Sequence, residues 1–295
     1  MAWVRMDTRA LTPFQYFQPK TIKEATSLLA KYGKEAKILA GGTDLLVHLK
    51  LRVIRPRYVI DISRIPRLSY IRYDKQGLNI GALTIIEDIV RSNLIQEKFT
   101  CLYESAQNLG SWQVRNMATI GGNVCRASPA SDISPSLFAL NSKAKINGLE
   151  GVREVSLEEF FTGPGQTVLK HDEILTEIWI PPLPANTGTA FMKISRTSND
   201  LAKVNAAVAL TIENGVCKDA RIVLDAVGPT PIRARRTEKI LEGRKLNEDV
   251  IWEASEVVKD EISPITDVRS TAEYRRDVSG VLVRRALRKA IERVK

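Results

Sequence analysis

The sequence predicts a protein of the α+β class with two domains, and three observations support this. Helix-like and strand-like patterns alternate over the first 65 residues, and a hairpin signal opens the segment that follows. A stretch rich in proline and glycine at 181–188 then precedes a region of paired strands and helices. The 295 residues are 44% hydrophobic and 26% charged, which is typical of one large or two ordinary globular domains.

The first 65 residues form a helix–strand–helix–strand pattern, which predicts a small α/β unit. A helix is expected at 22–32, because Thr21 and Glu24 have capping-box spacing and Gly33 suits the left-handed position that ends a helix. The remaining elements are a strand at 36–40, a helix carrying Leu45, Leu46 and Leu49 that stops before Pro56, and a strand at 58–62.

A second unit begins near Leu68 with a hairpin whose strands, 70–73 and 78–80, flank a turn at 74–77. Thr84 and Glu87 have the spacing of another capping box, ahead of a short helix. A helix is expected at 102–109, a long irregular segment from Gly110 to Pro135, and strands at 143–147 and 174–180. Long irregular segments inside compact domains are usually functional.

Beyond the boundary at 181–188 the pattern changes. Strands at 204–212 and 220–227 are separated by a turn, for which Asn214-Gly215 is a strong signal. Helices are expected at 237–242, 248–260 and 274–294, the last with one apolar face opposite its arginines and lysines.

Cysteine and histidine usage argues against a metal centre in this chain. The three cysteines, Cys101, Cys125 and Cys217, lie too far apart for metal-ligand spacing and are odd in number for a disulfide framework. We therefore expect reduced thiols and a cytoplasmic protein.

The N-terminal segment lacks the apolar core of a secretory signal, and no run of about 18 apolar residues predicts a transmembrane helix.

The net charge of +10 leaves nucleic-acid binding open as one interpretation. The basic residues are spread along the chain, with denser groups at 233–236 and 284–289, and no aromatic residues interleave with them as in a single-strand binding platform. A solvated basic surface, or an interface with an acidic partner, is the favoured explanation.

Two glycine-centred segments carry the chemical signal. In Ala40-Gly41-Gly42-Thr43-Asp44, glycines between a strand and a helix let successive N–H groups approach phosphate oxygens. Thr119-Ile120-Gly121-Gly122-Asn123 repeats this composition, and Asp132 opens a helix at about 132–140 as an N-cap or as an acceptor for ribose hydroxyls. Each segment alone also fits a structural turn. Together they suggest a pyrophosphate or dinucleotide site that lacks the Rossmann and Walker sequences.

These two segments, with Ala127-Ser128-Pro129-Ala130-Ser131-Asp132, closely resemble the FAD-binding medium subunit of the xanthine dehydrogenase and aerobic carbon monoxide dehydrogenase family. Further matching pieces, in the same order, run along nearly the whole chain. They include Ile80-Gly81-Ala82-Leu83-Thr84, Asp172-Glu173-Ile174-Leu175, Gly228-Pro229-Thr230-Pro231 and Tyr274-Arg275-Arg276.

The resemblance implies an α+β fold in which a PCMH-type FAD-binding domain at 10–183, with subdomains at about 10–65 and 66–183, precedes a C-terminal domain at 187–294. The latter would contain a small antiparallel sheet and a helical bundle. One FAD would be bound non-covalently between the subdomains.

The implied cofactor-binding residues fall into three groups. Residues 38–45 would wrap the pyrophosphate and ribityl chain, and Thr119, Gly122, Asn123 and Cys125 would continue the cradle, with Gly121 as part of the same Gly-Gly pair. Ser131 and Asp132 would hold the adenosine part, Leu175 would pack against the flavin system with Ile174 as a secondary candidate, and Lys193 would lie near the flavin. The full implied set is Ile38, Leu39, Ala40, Gly41, Gly42, Thr43, Asp44, Leu45, Leu109, Gly110, Val114, Ala118, Thr119, Gly121, Gly122, Asn123, Cys125, Ser131, Asp132, Leu175 and Lys193.

The implied reaction is electron transfer, for which no acid–base or nucleophilic constellation is needed, and none is expected here. A large molybdopterin subunit and a small subunit with two [2Fe-2S] clusters would be the partners, in a dimer of heterotrimers. Three scattered cysteines exclude the variant with an additional [4Fe-4S] cluster, which needs four ligands. A stand-alone flavin oxidoreductase is the alternative, although no histidine lies between 184 and 295 to serve such chemistry.

Overall fold

The computed structural model describes residues 11–294, and its first sheet is parallel, with three strands ordered β1–β3–β2. The elements are β1 (Gln15–Phe17), α1 (Ile22–Tyr32), β2 (Ala36–Leu39), α2 (Leu45–Lys50) and β3 (Tyr58–Asp61). Because β2 and β3 run in parallel, their carboxyl ends meet at one edge of the sheet, and the segment 40–44 leaves from that edge.

The second sheet is antiparallel, with five strands ordered β4–β5–β10–β6–β7. Its strands are β4 (Ile71–Asp74), β5 (Gly77–Gly81), β6 (Lys143–Gly148), β7 (Gly151–Ser156) and β10 (Ile174–Ile180), and β8 (Phe161–Gly163) and β9 (Gln166–Thr167) form a separate small hairpin. Buried side chains from this sheet, such as Leu78 and Ile178, share one core with Ile120 and Leu137 of the intervening helices.

Six short helices connect β5 to β6, and one follows β7. They are α3 (Ile86–Arg91), α4 (Asn93–Lys98), α5 (Thr100–Gln107), α6 (Trp112–Arg115), α7 (Ile120–Arg126), α8 (Ile133–Ala139) and α9 (Leu157–Phe160). The prediction that 110–135 is irregular is therefore wrong for α6 and α7, whereas the helix predicted at about 132–140 is confirmed by α8.

The C-terminal part is a four-stranded antiparallel sheet ordered β11–β12–β13–β14, covered by helices. Its elements are β11 (Thr187–Ile194), β12 (Val204–Glu213), β13 (Val216–Asp225), β14 (Ile232–Arg233), α10 (Arg235–Leu241), α11 (Glu248–Val257) and α12 (Ala272–Glu292). The apolar face of α12, including Ala286 and Leu287, shares a core with Val208 and Leu224 of the sheet. Burial of this continuous apolar face is the main stabilising contribution here.

Most predicted elements are confirmed, including the turn at Asn214-Gly215, where both φ angles are positive (53° and 77°). The N-cap of α1 is also confirmed, because Thr21 Oγ1 accepts from the Glu24 amide at 3.1 Å. The second predicted capping box is wrong. Thr84 Oγ1 instead bonds to the backbone of Tyr70, and the carboxylate of Glu87 accepts from Arg115 at 3.0 Å.

Candidate flavin site

The segment between β2 and α2 is an open backbone turn that packs closely against the backbone at Met117. A Cβ atom added to Gly41 would lie 1.8 Å from the carbonyl oxygen of Met117, so only glycine fits there. Gly42 has a φ of +75°, in the left-handed region that favours glycine. These two requirements explain why the sequence places two glycines in succession at this point.

The backbone amides of residues 41–45 are the main chemical feature of this turn. None of these five consecutive N–H groups donates to an acceptor within residues 11–294. Successive unpaired amides of this kind form a concave site for an anion. Since α2 has only six residues, the individual N–H groups contribute more here than the dipole of the helix.

The second Gly-Gly pair has a different local structure, because it forms the first turn of α7. Thr119 caps that helix, accepting from the Gly122 amide at 3.0 Å. The amides of Ile120 and Gly121 donate to Thr84 O and Ala82 O, at 3.0 and 2.9 Å, and that of Asn123 donates to Thr119 O. The expectation of a second amide nest at 119–123 is therefore wrong, since the amides of residues 120–123 are already paired.

Gly121 has a packing role. A Cβ atom at this position would lie 2.6 Å from the Cβ of Ala82, so glycine allows α7 to approach the end of β5. At Gly122, by contrast, a Cβ atom would meet only the Thr119 hydroxyl, at 2.8 Å. This pair therefore positions the helix and leaves a surface without bulky side chains beside the first turn.

A cavity of about 270 Å³ lies between the two segments. This volume is just below the range for small-molecule sites, about 300–1,000 Å³. Its lining residues are Ile38, Ala40, Gly41, Gly42, Thr43, Asp44, Leu45, Ile62, Ala82, Leu83, Leu109, Val114, Ala118, Thr119, Gly121, Gly122, Asn123, Cys125, Arg126, Leu169, Ile174 and Leu175. We call this space the cleft. It combines aliphatic walls with the unpaired amides of one turn, a combination suited to a planar ring system joined to phosphates.

Two residues of opposite charge, Asp44 and Arg126, are the only charged residues among those lining the cleft. The Nε of Arg126 lies 3.4 Å from Oδ1 of Asp44, and both side chains are exposed. Desolvation raises the pKa of the half-buried Cys125 thiol to about 12, so it stays neutral at physiological pH. The cleft thus offers neither a thiolate nucleophile nor a buried acid–base pair.

A buried polar cluster lies directly behind the cleft and ties its wall to the C-terminal sheet. Ser131 Oγ donates to Oδ1 of the cleft residue Asn123 at 2.9 Å. Nζ of Lys193, on β11, donates to Oδ2 of Asp132 and to the Asn108 carbonyl, at 2.8 and 2.9 Å, and both charged side chains are almost wholly buried. Asn205, on β12, donates to Ser131 O at 2.9 Å.

Two carboxyl groups of this cluster have raised pKa values. Burial raises the pKa of Asp132 to about 6, although Lys193 opposes the shift. Asp225 is fully buried, and its pKa lies well above the usual value because burial outweighs the backbone N–H groups of Ala226 and Ser131 that donate to it. Burial and the neighbouring Asp132 both favour the protonated form of Asp225, whereas Lys193 pairs with Asp132.

Two family models match this chain and cover most of it. Residues 12–183 match the FAD binding domain in molybdopterin dehydrogenase, and residues 189–290 match the CO dehydrogenase flavoprotein C-terminal domain. The chain belongs to this family of FAD-binding subunits. It is accordingly an oxidoreductase flavin subunit, and the family resemblance and the α+β fold predicted from the sequence are confirmed.

Relatives of this flavin subunit match along almost their whole length. The glyceraldehyde dehydrogenase medium chain of Sulfolobus acidocaldarius is 34% identical over 93% of this chain and 97% of its own. The carbon monoxide dehydrogenase medium chain of Hydrogenophaga pseudoflava is also 34% identical, over 94% and 96%. A solved structure of carbon monoxide dehydrogenase from the same organism superposes with a TM-score of 0.94, covering 97% of this chain and 100% of the matched one.

Most residues predicted for the site line the cleft, and five do not. Leu39 and Gly110 do not line the cleft. Leu39 packs against the turn at 41–45, where its Cδ1 would lie 3.0 Å from a Cβ atom added to Gly42. Ser131, Asp132 and Lys193 belong to the buried cluster behind it. The structure therefore places these last three where they support the wall of the cleft.

The sequence prediction omitted five lining residues: Ile62, Ala82, Leu83, Arg126 and Leu169. Ile62 had a usable signal, because it follows a strand expected to lie beside the strand that leads to Gly41. Ala82 and Leu83 lay in a segment that carries the family resemblance but had no local chemical signal, since the close contact of Gly121 with Ala82 is a tertiary one.

Within the described part of the chain, no group of three histidine, cysteine, aspartate or glutamate side chains could hold a metal ion. Among residues 11–294, no helix has both the length and the apolarity needed to cross a membrane. The three cysteines are unpaired with one another.

Proposed function

We propose that this chain binds one FAD in the cleft and relays electrons inside a molybdopterin-dependent hydroxylase or dehydrogenase. The observation that supports it is the run of unpaired amides at 41–45 beside the aliphatic walls of the cleft. A pyrophosphate would supply acceptors for these amides, and a planar ring would pack between side chains such as Leu109 and Leu175.

The two Gly-Gly segments would contribute in different ways. The turn at 41–45 would bind the diphosphate through N–H groups, with the Thr43 hydroxyl as a further donor, while Ile38 and Leu45 flank it. The start of α7 would contribute space and the side chains of Asn123 and Cys125, since its amides are paired within the protein, while Thr119 would hold the helix in place as its cap. Ser131, Asp132 and Lys193 would act indirectly, by holding Asn123 and the helix behind it.

FAD, when bound, supplies the redox chemistry, accepting single electrons and passing them to an external acceptor. The residues of this chain would bind and orient the cofactor and limit its contact with water. The ion pair of Asp44 and Arg126, which joins opposite rims of the cleft, would help to close it around an extended ligand.

The proposed partners are a large molybdopterin subunit and a small subunit with two [2Fe-2S] clusters, assembled as a dimer of heterotrimers. The relatives named as medium chains support a place in such a complex. The domain limits at 10–183 and 187–294, of which residue 10 lies outside the described residues, and the cytoplasmic location remain predictions.

The test is the flavin content of the chain, purified after co-expression with its partner subunits. We expect one FAD per chain, released by denaturation, and a strong loss in Gly42→Ala. Gly243→Ala is the matched control, because both glycines have a φ of +75° but a Cβ at Gly243 meets nothing within 4 Å. A colourless wild-type protein would refute the proposal, and steady turnover by this chain without partners would favour a stand-alone oxidoreductase.

A further inference from the structure

A second cavity, of about 240 Å³, lies apart from the cleft and shares none of its lining residues. Pro129 and Pro164 form one side of it. The other side comes from the C-terminal part, and includes Ser263 and Arg269 of the loop between α11 and α12 and Arg275 of α12. Two of the segments that carry the family resemblance contribute to this lining, the first through Gly228 and Pro229 and the second through Arg275, and the flavin site does not account for them.

The charges that line this cavity do not balance. Arg269, Arg275 and Asp267 are the charged residues of the lining, so two guanidinium groups face one carboxylate. Both oxygens of Asp267 are already occupied, at 2.6 Å from Arg275 Nη2 and 2.6 Å from Arg269 Nη2. These contacts hold the pKa of Asp267 well below its usual range, after burial is allowed for. A net positive charge therefore remains at the cavity.

Unused hydrogen-bond donors accompany this charge. Arg275 is 2% exposed, and its Nη1 donates to the carbonyls of Lys203 and Ala226, but its buried Nε has no partner in the described part of the chain. Arg269 Nη1 and Ser263 Oγ also make no hydrogen bond within residues 11–294. A buried donor left unpaired is costly, by about 1–3 kcal/mol.

We propose that this cavity binds a small oxyanion, a phosphate or carboxylate group, between Arg269 and Arg275. The ligand would neutralise the excess charge and accept from Arg275 Nε, Arg269 Nη1 and Ser263 Oγ. Charge-assisted hydrogen bonds to guanidinium groups are the usual way in which proteins hold such anions. This inference rests on the second cavity alone, and its test takes from the proposed function only that FAD occupies the amides at 41–45.

The test is calorimetric titration of the full chain, loaded with FAD so that the amides at 41–45 are occupied. Inorganic phosphate and acetate are titrated separately at constant ionic strength set with chloride. We expect saturable binding of one of them, with one site per chain. Which anion binds identifies phosphate or carboxylate as the preferred chemistry.

Variants locate the site. Arg269→Gln should weaken the binding about tenfold, the effect of losing one charge-assisted hydrogen bond. Ser263→Trp, at an exposed position on the rim, should abolish it by filling the cavity. Arg276→Gln is the matched control, because Arg276 is exposed, does not line the cavity and donates to Lys259 O. Absence of saturable binding of either anion, or equal binding by Arg269→Gln and Arg276→Gln, would overturn the proposal.

Discussion

Two Gly-Gly pairs line the same cleft, yet their backbones serve different purposes. At Gly41-Gly42 the amides have no acceptor within residues 11–294, whereas at Gly121-Gly122 all neighbouring amides bond to the protein. The first pair creates a place for a ligand, and the second allows a helix to pack closely against a strand. The same dipeptide therefore indicates a binding turn only when its N–H groups are unpaired.

The largest effect is expected at Gly41. In Gly41→Ala, a Cβ atom 1.8 Å from Met117 O would force the turn apart and displace its amides. We expect FAD affinity to fall by about a hundredfold or more, the loss of two or more charge-assisted hydrogen bonds. Flavin fluorescence during titration of the apoprotein measures this affinity.

Gly188→Ala is the control for that experiment. Its Cβ atom would lie 1.9 Å from Ala290 O, a comparable backbone clash remote from the cleft. It should lower stability without changing the FAD affinity of the folded fraction. Equal FAD affinities for the two variants would contradict the role given to the first turn.

The next effect concerns the buried ion pair of Lys193 and Asp132, which lies behind the segment 119–123. Lys193→Met leaves the buried carboxylate of Asp132 without its cation, and breaking a buried ion pair in this way typically costs about 3–5 kcal/mol. The double variant Asp132→Asn with Lys193→Met should recover part of this loss. Urea unfolding of the apoprotein provides the free energies. A single variant as stable as wild type would show that the pair does not anchor the segment.

A smaller effect is expected at Gly121. In Gly121→Ala, the added Cβ would overlap Ala82 and push α7 away from β5, which should lower stability by about 1–3 kcal/mol. The FAD affinity of the folded fraction should fall much less than in Gly41→Ala. Thermal unfolding and flavin titration on one preparation separate the two quantities. Loss of FAD affinity without loss of stability would contradict the packing role given to Gly121.

The smallest effects are expected for substitutions of two threonines, one in each Gly-Gly segment. Thr119→Ala removes the cap of α7 and should cost about 1 kcal/mol of apoprotein stability, with little change in FAD affinity. Thr43→Ala should leave the apoprotein stability unchanged but weaken FAD severalfold, by removing one proposed hydrogen bond. If both variants alter the same quantity, the two segments do not have separate roles.

Local sequence signals predicted the segment around Gly41-Gly42 well. A strand followed by Gly-Gly-Thr-Asp and an amphipathic helix identified the turn at 40–44, because both the strand and the need for positive φ are local properties. The two-strand motif around Asn214-Gly215 succeeded for the same reason.

The second region could not be predicted in this way. The first turn of α7 contains two glycines, which have low helix propensity, and the amides of Ile120 and Gly121 depend on the carbonyls of Thr84 and Ala82, 36 and 39 residues earlier. The spacing of Thr84 and Glu87 wrongly predicted a capping box for a related reason, because those two side chains bond to Tyr70 and Arg115, which are distant in sequence. Likewise, nothing local to Lys193 indicates its pairing with Asp132.

Hydrogen exchange of the backbone amides, with and without FAD, tests the difference between the two regions most directly. The amides of 41–45 should exchange rapidly in the apoprotein and become protected when FAD binds, whereas those of 120–123 should be protected in both states. Protection of 41–45 without FAD, or protection of 120–123 that appears only with FAD, would contradict the account.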